Sequence, residues 1–182
     1  FFDVFLADDI EADRIGELAA ATAEAGTWNV PTEVLIEQLV DDTPIVELRT
    51  RPEMRYVPKA VVDRWAQAKA SQLADRDYDP EVARLAIELR RTLIRELHRA
   101  GAGLLLGSDS PQVFNVPGFS LHRELDALVA AGLTPYEALR TGTVAVAEFL
   151  GTSTGIVAVG RDADLVLLDS NPLEDIGNSR RI

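Results

Sequence analysis

Residues 103–112 read GLLLGSDSPQ: three consecutive leucines, Leu104 to Leu106, stop at Gly107 and deliver one carboxylate, Asp109, between two serines. A continuous apolar run is what a strand covered on both faces shows, whereas a half-exposed strand alternates. In parallel α/β architectures, ligands and catalytic groups gather at the carboxyl ends of the strands. A carboxylate held there beside buried backbone needs a metal ion, a cation or several N–H donors to compensate it. It is also suited to taking a proton from water. The same SDSP is good turn chemistry, so the local sequence leaves Asp109 as either a site residue or a turn residue.

The other residues with chemical potential are few. The chain has two histidines and no cysteine, so any nucleophile is a hydroxyl, a carboxylate or an activated water. His122, in PGFSLHREL, falls in the first turn after the aspartate loop, where it could bind substrate or orient Asp109, or simply lie on an exposed helix face. His98 is placed in the last turn of its helix, where an imidazolium complements the dipole. Arg51, Arg55, Tyr56 and Trp65 form a mixture suited to gripping a carboxylate and covering an apolar group. The aromatic pair could equally serve only to pack its segment.

Eighteen basic against thirty acidic residues give a formal charge of -12. Such a surface repels phosphate backbones and anionic lipid, which argues against nucleic acid and membrane as partners. The 47% apolar content is ample for a core. No apolar stretch approaches the roughly 18 residues needed to span a bilayer. The compartment stays open, with the cytoplasm favoured. The opening FFDVFLADDIEADR lacks a basic n-region and an initiating methionine, and it reads as the interior of a longer chain.

The elements that must position these residues can be read from periodicity and caps. A helix is expected between Asp9, as N-cap, and Gly26. TWNVPT, residues 27–32, is a short β-prone run. Residues 33–78 show no strand signal, with EVLIEQLV and VVDRWAQAKASQLA as helices joined by TRPEMRYVPK; a connection that long usually does something, such as covering a site. Asp79 and Pro80 start a helix whose stripe is Val82, Leu85, Leu89, Leu93 and Leu97, ended by Gly101. GLLLG follows as the second strand. Ser120 can cap the next helix, with Leu121, Leu125, Leu128 and Val129 facing inward. Thr134, Pro135 and Glu137 form a capping box that starts another. GIVAVGRDADLVLLDSNP gives two short β runs split by Gly160. Strands alternating with helices imply a parallel sheet, and two strands alone cannot make a stable one.

The wider stretch LLLGSDSPQVFNVPGFSLHRELDALVAAGLTPYEALRTGT, then FLG, then GIVAVGRDADLVLLDSNPLEDI, resembles the carboxyl-terminal part of the metal-dependent amidohydrolase superfamily, especially its imidazolonepropionase-like and prolidase-like members. The resemblance runs from about Gly26 to the end. It implies an α/β fold, the C-terminal part of a (β/α)8 TIM barrel, with TWNVPT as strand seven and GLLLGSD as strand eight. Residues 1–153 would be the partial barrel, with 33–78 an insert over the active-site mouth, and 154–182 part of a composite β-sandwich. The resemblance further implies that Asp109 ligates a divalent metal, zinc first among candidates, one or two ions. Hydroxide on the metal would attack an amide, cyclic amide or peptide-like carbonyl while Asp109 shuttles the protons. His122, Arg55, Tyr56 and Thr32 are the substrate-contact candidates that follow.

The departures from that pattern are specific. The family's histidines on earlier strands, and its lysine or glutamate, have no counterparts here and would precede Phe1, so these 182 residues alone are expected to be inactive. Ala145 and Val146 stand where an Asn-Pro pair is common, and Ser108 stands where threonine is common. The expected partner is a small-molecule substrate, with homo-oligomer formation open. The alternative is a non-catalytic barrel fragment acting as a binding or assembly module, with Asp109 only a turn residue. A phosphatase-like use of Asp109 would require a paired acid two residues on, where Pro111 stands.

Overall fold

The computed structural model describes residues 10–182. A 3-10 turn, Ala12–Arg14, leads into α1 (Ile15–Glu24), which buries Ile15 and Ala19 and ends at left-handed Gly26. The expected cap Asp9 lies outside the described residues. β1 (Trp28–Asn29) is followed by α2 (Glu33–Val40), α3 (Ile45–Thr50), a 3-10 turn at Pro52–Tyr56, and α4 (Lys59–Leu73). The insert is therefore helical, as its sequence predicts, with α3 an additional short helix in it. α5 (Pro80–Ala100) begins where Asp79 accepts a hydrogen bond from the Glu81 amide and stops at left-handed Gly101. Then come β2 (Gly103–Leu104), α6 (Phe119–Ala130), α7 (Pro135–Thr141) and α8 (Val144–Leu150). The chain after the second strand thus carries three helices where two are expected.

β1 and β2 pair in parallel, Trp28 beside Gly103 and Asn29 beside Leu104, and the Leu105 amide donates to the Asn29 carbonyl at 2.9 Å. The glycines that bound the leucine run have a packing reason. A Cβ on Gly103 would sit 2.5 Å from the Trp28 ring, and one on Gly107 would sit 2.5 Å from Val30 Cγ1. Only glycine admits these neighbours so close to the backbone.

The main core gathers Ala19, Ile94, Leu97, Leu104, Leu125, Leu128 and Ile176 from α1, α5, β2, α6 and the tail. On α5 the buried face runs through Ala83, Ala86, Ile94 and Leu97, while Leu85 is exposed. The leucine stripe read from sequence is offset because alanines, being small, let neighbouring helices approach. A second cluster belongs to the insert: Leu48, Met54, Val62 and Ala66, with Trp65 at its side, close around Phe114 and Val116 from the Asp109 loop. Trp65 and Phe114 have ring centroids 5.7 Å apart, so Trp65 packs.

Residues 156–168 form no strand, and the two β runs expected there do not pair. Only the bend at Gly160 is present, with the Arg161 amide on the Ala158 carbonyl. Val157 is 85% exposed and Leu167 is 89% exposed. A two-stranded hairpin is marginal without a packed face, and no core element covers these side chains. The tail is anchored beyond this segment, where Ile176 enters the core and Asp175 accepts from the Gly177 amide. Glu174 takes part in a turn with Asn171.

Candidate functional site

Asp109 follows β2 by five residues, at the carboxyl end of the pair. It is exposed and has a left-handed backbone, φ 48°. Among the described residues its carboxylate makes no hydrogen bond or ion pair. Its neighbours are held firmly. Ser108 is buried, its hydroxyl lies 2.8 Å from that of Ser120, and its carbonyl accepts from the Asn115 side-chain amide. Asn115 is fully buried, and its backbone exchanges two hydrogen bonds with Gln112. The Ser110–Pro111 peptide is cis. Phe114, also left-handed, is fully buried in the insert's cluster.

Thr32 lies three residues after β1, likewise left-handed at φ 50° and half-buried. It stands at the N-cap of α2, but its side chain makes no cap hydrogen bond. The cap comes from α6. The Glu124 carboxylate accepts from the Glu33 amide at 3.0 Å and the Val34 amide at 2.8 Å. Glu124 is fully buried, and burial pushes its pKa up to about 7, although the two N–H donors pull it down. Glu33 beside it is buried, paired with Arg90 at 2.8 Å, and also raised by burial.

At the other end of α2, Lys69 from α4 donates to the carbonyls of Gln38 (2.9 Å), Leu39 (3.1 Å) and Asp41 (2.5 Å). Burial holds its pKa below the usual lysine value. Gln38 in turn donates to the Val113 carbonyl, tying α2 to the aspartate loop.

The remaining candidates form a second group. Arg55 lies over the Tyr56 ring, 5.0 Å from its centroid, and both are exposed. Tyr56 stacks on Phe119 at 5.8 Å. Phe119 shares a cleft of about 530 Å³ with His122, Arg123 and Arg180. His122 Nδ1 is 2.9 Å from the Ser179 hydroxyl, and burial, then the nearby Arg180, hold its pKa below 6.5. Its ring is thus engaged with the tail. His98 is half-exposed and lies 3.0 Å from Glu137, on the surface as its helix position predicts. The structure stacks Tyr56 on Phe119 with Arg55 over the Tyr56 ring and His122 in the same cleft as Phe119, and it brings Thr32 and Asp109 beyond neighbouring strand ends.

Sequence reasoning overlooks Ser108, Asn115, Ser120 and Glu124. Ser120 is not the cap: Gly118 is, and Ser120 lies inside α6 facing inward. Leu121, expected to face inward, is exposed. The buried face of α6 is Ser120, Glu124, Leu125, Ala127 and Leu128, so Leu125 and Leu128 face inward as expected. The signal for Ser120 and Glu124 was available in their helical spacing with Leu128, masked by the exposed Leu121.

No group of three metal-capable side chains occurs among the described residues. Asp109, with unengaged carboxylate oxygens at a strand end, fits the part of a single ligand.

A parallel strand pair wrapped by helices, with an acid beyond its carboxyl end, defines a mixed α/β protein. The sequence model described as the amidohydrolase family matches residues 11–181, and the chain belongs to that family, whose members generally bind divalent metal ions. Ochratoxinase of Aspergillus niger is 35% identical over 82 residues, 43% of this chain and 16% of the relative. Adenine deaminase of Methanothermobacter thermautotrophicus is 36% identical over 77 residues, 42% of this chain and 14% of the relative. These alignments span about a sixth of the length of those relatives. No helix among the described residues is long and apolar enough to cross a membrane.

Proposed function

We propose that this chain is the strand-seven and strand-eight portion of a (β/α)8 hydrolase that cleaves C–N bonds in amides, cyclic amides or peptide-like small molecules. On this reading residues 33–78 wall the mouth of the site and 154–182 contribute to a β-sandwich. The observation that carries the reading is the stance of Asp109. It is an unengaged carboxylate at the carboxyl end of a parallel strand, on a loop held by the Ser108–Ser120 and Asn115–Ser108 hydrogen bonds. A relative named for ochratoxin and another named for removing the amine of adenine support the reaction class and no particular substrate.

Asp109 would be one ligand of a divalent cation, zinc first, with the other ligands supplied by residues outside these 182. When bound, such an ion supplies Lewis acidity toward water and the scissile carbonyl. Asp109 Oδ would accept the proton of the attacking water and return it to the leaving nitrogen. Thr32 would contact substrate from the neighbouring strand end, and Arg55, Tyr56 and His122 from the Phe119 side.

Asp109→Asn in the full-length protein tests this. Turnover of a responsive N-acyl amino acid, dipeptide or cyclic amide is expected to fall by roughly 10²- to 10⁴-fold, with the thermal melt unchanged. Turnover within a factor of about two of the native enzyme would remove Asp109 from the mechanism.

A further inference from the structure

The two strand-end side chains are held by one helix. Ser120 of α6 reaches the Ser108 hydroxyl beside Asp109, at 2.8 Å. Four residues on, Glu124 reaches the Glu33 and Val34 amides beside Thr32, at 3.0 and 2.8 Å. Both are fully buried. Their separation along the helix is about 6 Å, commensurate with the roughly 4.8 Å between adjacent strands. The backbone at both strand ends is left-handed, φ 48° at Asp109 and φ 50° at Thr32. That conformation is uncommon for non-glycine residues, and for Thr32 above all it takes surroundings that hold it.

We infer that α6 is the positioning element of the site: Ser120 fixes Asp109 through Ser108, and Glu124 fixes Thr32 through the first amides of α2, so one helix sets where the two side chains stand relative to each other. This rests on the reading of Asp109 as the acid that handles the proton. Neither α6 residue touches the reacting atoms, and each acts through another. Asn115, donating to the Ser108 carbonyl, closes the clamp from the loop side. A merely structural bond would tie helix to sheet anywhere along their contact. These two meet the chain beyond the strands, at the residues adjoining Asp109 and Thr32.

The test is a double-mutant cycle in the full-length enzyme, with Ser120→Ala, Asp109→Asn and the pair, joined by backbone hydrogen exchange. Ser120→Ala is expected to lower kcat roughly 10- to 100-fold with KM within about twofold. In the Asp109→Asn background it should have no further effect, because the group it positions is gone. Amides of residues 108–116 should exchange faster in Ser120→Ala, and Ser120→Thr, which keeps the hydroxyl, should restore both turnover and protection. An equal loss in both backgrounds, or loop exchange unchanged in Ser120→Ala, overturns the inference. Failure of the catalytic reading looks different: Asp109→Asn alone would then keep native turnover, while the exchange measurement still decides whether Ser120 holds the loop. Glu124→Gln gives the matching test at Thr32, expected to loosen the first turn of α2 and raise KM.

Discussion

Glu124 and Lys69 hold opposite ends of one eight-residue helix: the carboxylate takes the first amides of α2, and the ammonium takes its last carbonyls. Each charge is the sign that its end of the helix dipole favours, and each replaces a cap that the local sequence lacks. A helix this short is not stable alone. Its place after the first strand is imposed by side chains from α6 and α4, distant in sequence.

Stability is expected to fall as the pH rises from about 4.5 to about 7. Glu124 titrates near 7 when folded and near its ordinary 4.5 when unfolded, so the native state holds the proton more tightly. The contribution is whole below 4.5 and is lost by about 7, about 3 kcal/mol in all. Glu33, raised by burial, adds in the same direction, whereas His122, lowered by burial, acts oppositely below 6.5. Denaturant melts across this range check it. In Glu124→Gln the slope should shrink, and an unchanged slope would assign the titration elsewhere.

Lys69→Met keeps the length of the side chain and removes the ammonium. Three carbonyls at the end of α2 and the Asp41 carboxylate lose their donor, a loss of about 3 kcal/mol. A melting midpoint within experimental error of the native protein would show that water replaces the lysine.

Thr134→Ala removes the hydroxyl of the α7 capping box and costs about 1 kcal/mol. The Thr134 amide and hydroxyl and then His98 hold Glu137 down to about 2. This group's contribution is present above pH 4.5 and is lost as the pH falls toward 2. NMR titration of Glu137 in Thr134→Ala should show its pKa moving up toward 4.5, and no movement would exclude the hydroxyl as a cause.

Gly107→Ala places a methyl 2.5 Å from Val30 Cγ1. Val30 is stiff at χ1, so the strand ends must spread, at about 1 to 3 kcal/mol. Calorimetry of the variant should show the loss. A variant as stable as the native protein would mean that Val30 rotates away freely.

Much of this arrangement was legible in the residues. Asp79-Pro80, Gly101 and the Thr134-Pro135-Glu137 box mark real helix ends because caps are local chemistry, and GLLLG reads as a covered strand because burial on both faces leaves no alternation. The amidohydrolase resemblance was legible in GSDSP, GLTPYEAL and ADLVLLDSNPLEDI. The inward faces of α5 and α6 were legible in part: Leu97, Leu125 and Leu128 are buried as expected, but Leu85 and Leu121 are exposed while Ala83, Ala86, Ser120 and Glu124 take buried positions. Glu124 was hidden because a carboxylate on a helix reads as solvated until the amides it caps, some ninety residues earlier, are brought to it. The expected pairing at 156–168 fails on the same distinction, since a β-prone run specifies a strand only when something lies alongside it.

Phe114 is a plug from the aspartate loop seated in a socket of the insert, lined by Leu48, Met54, Val62 and Ala66. The insert and the loop that carries Asp109 are consequently one casting. On the proposed reading a ligand would enter past this wall without lifting it, and an insert transplanted from a relative would preserve the acid's stance only if it brought a hole of the same shape for that ring.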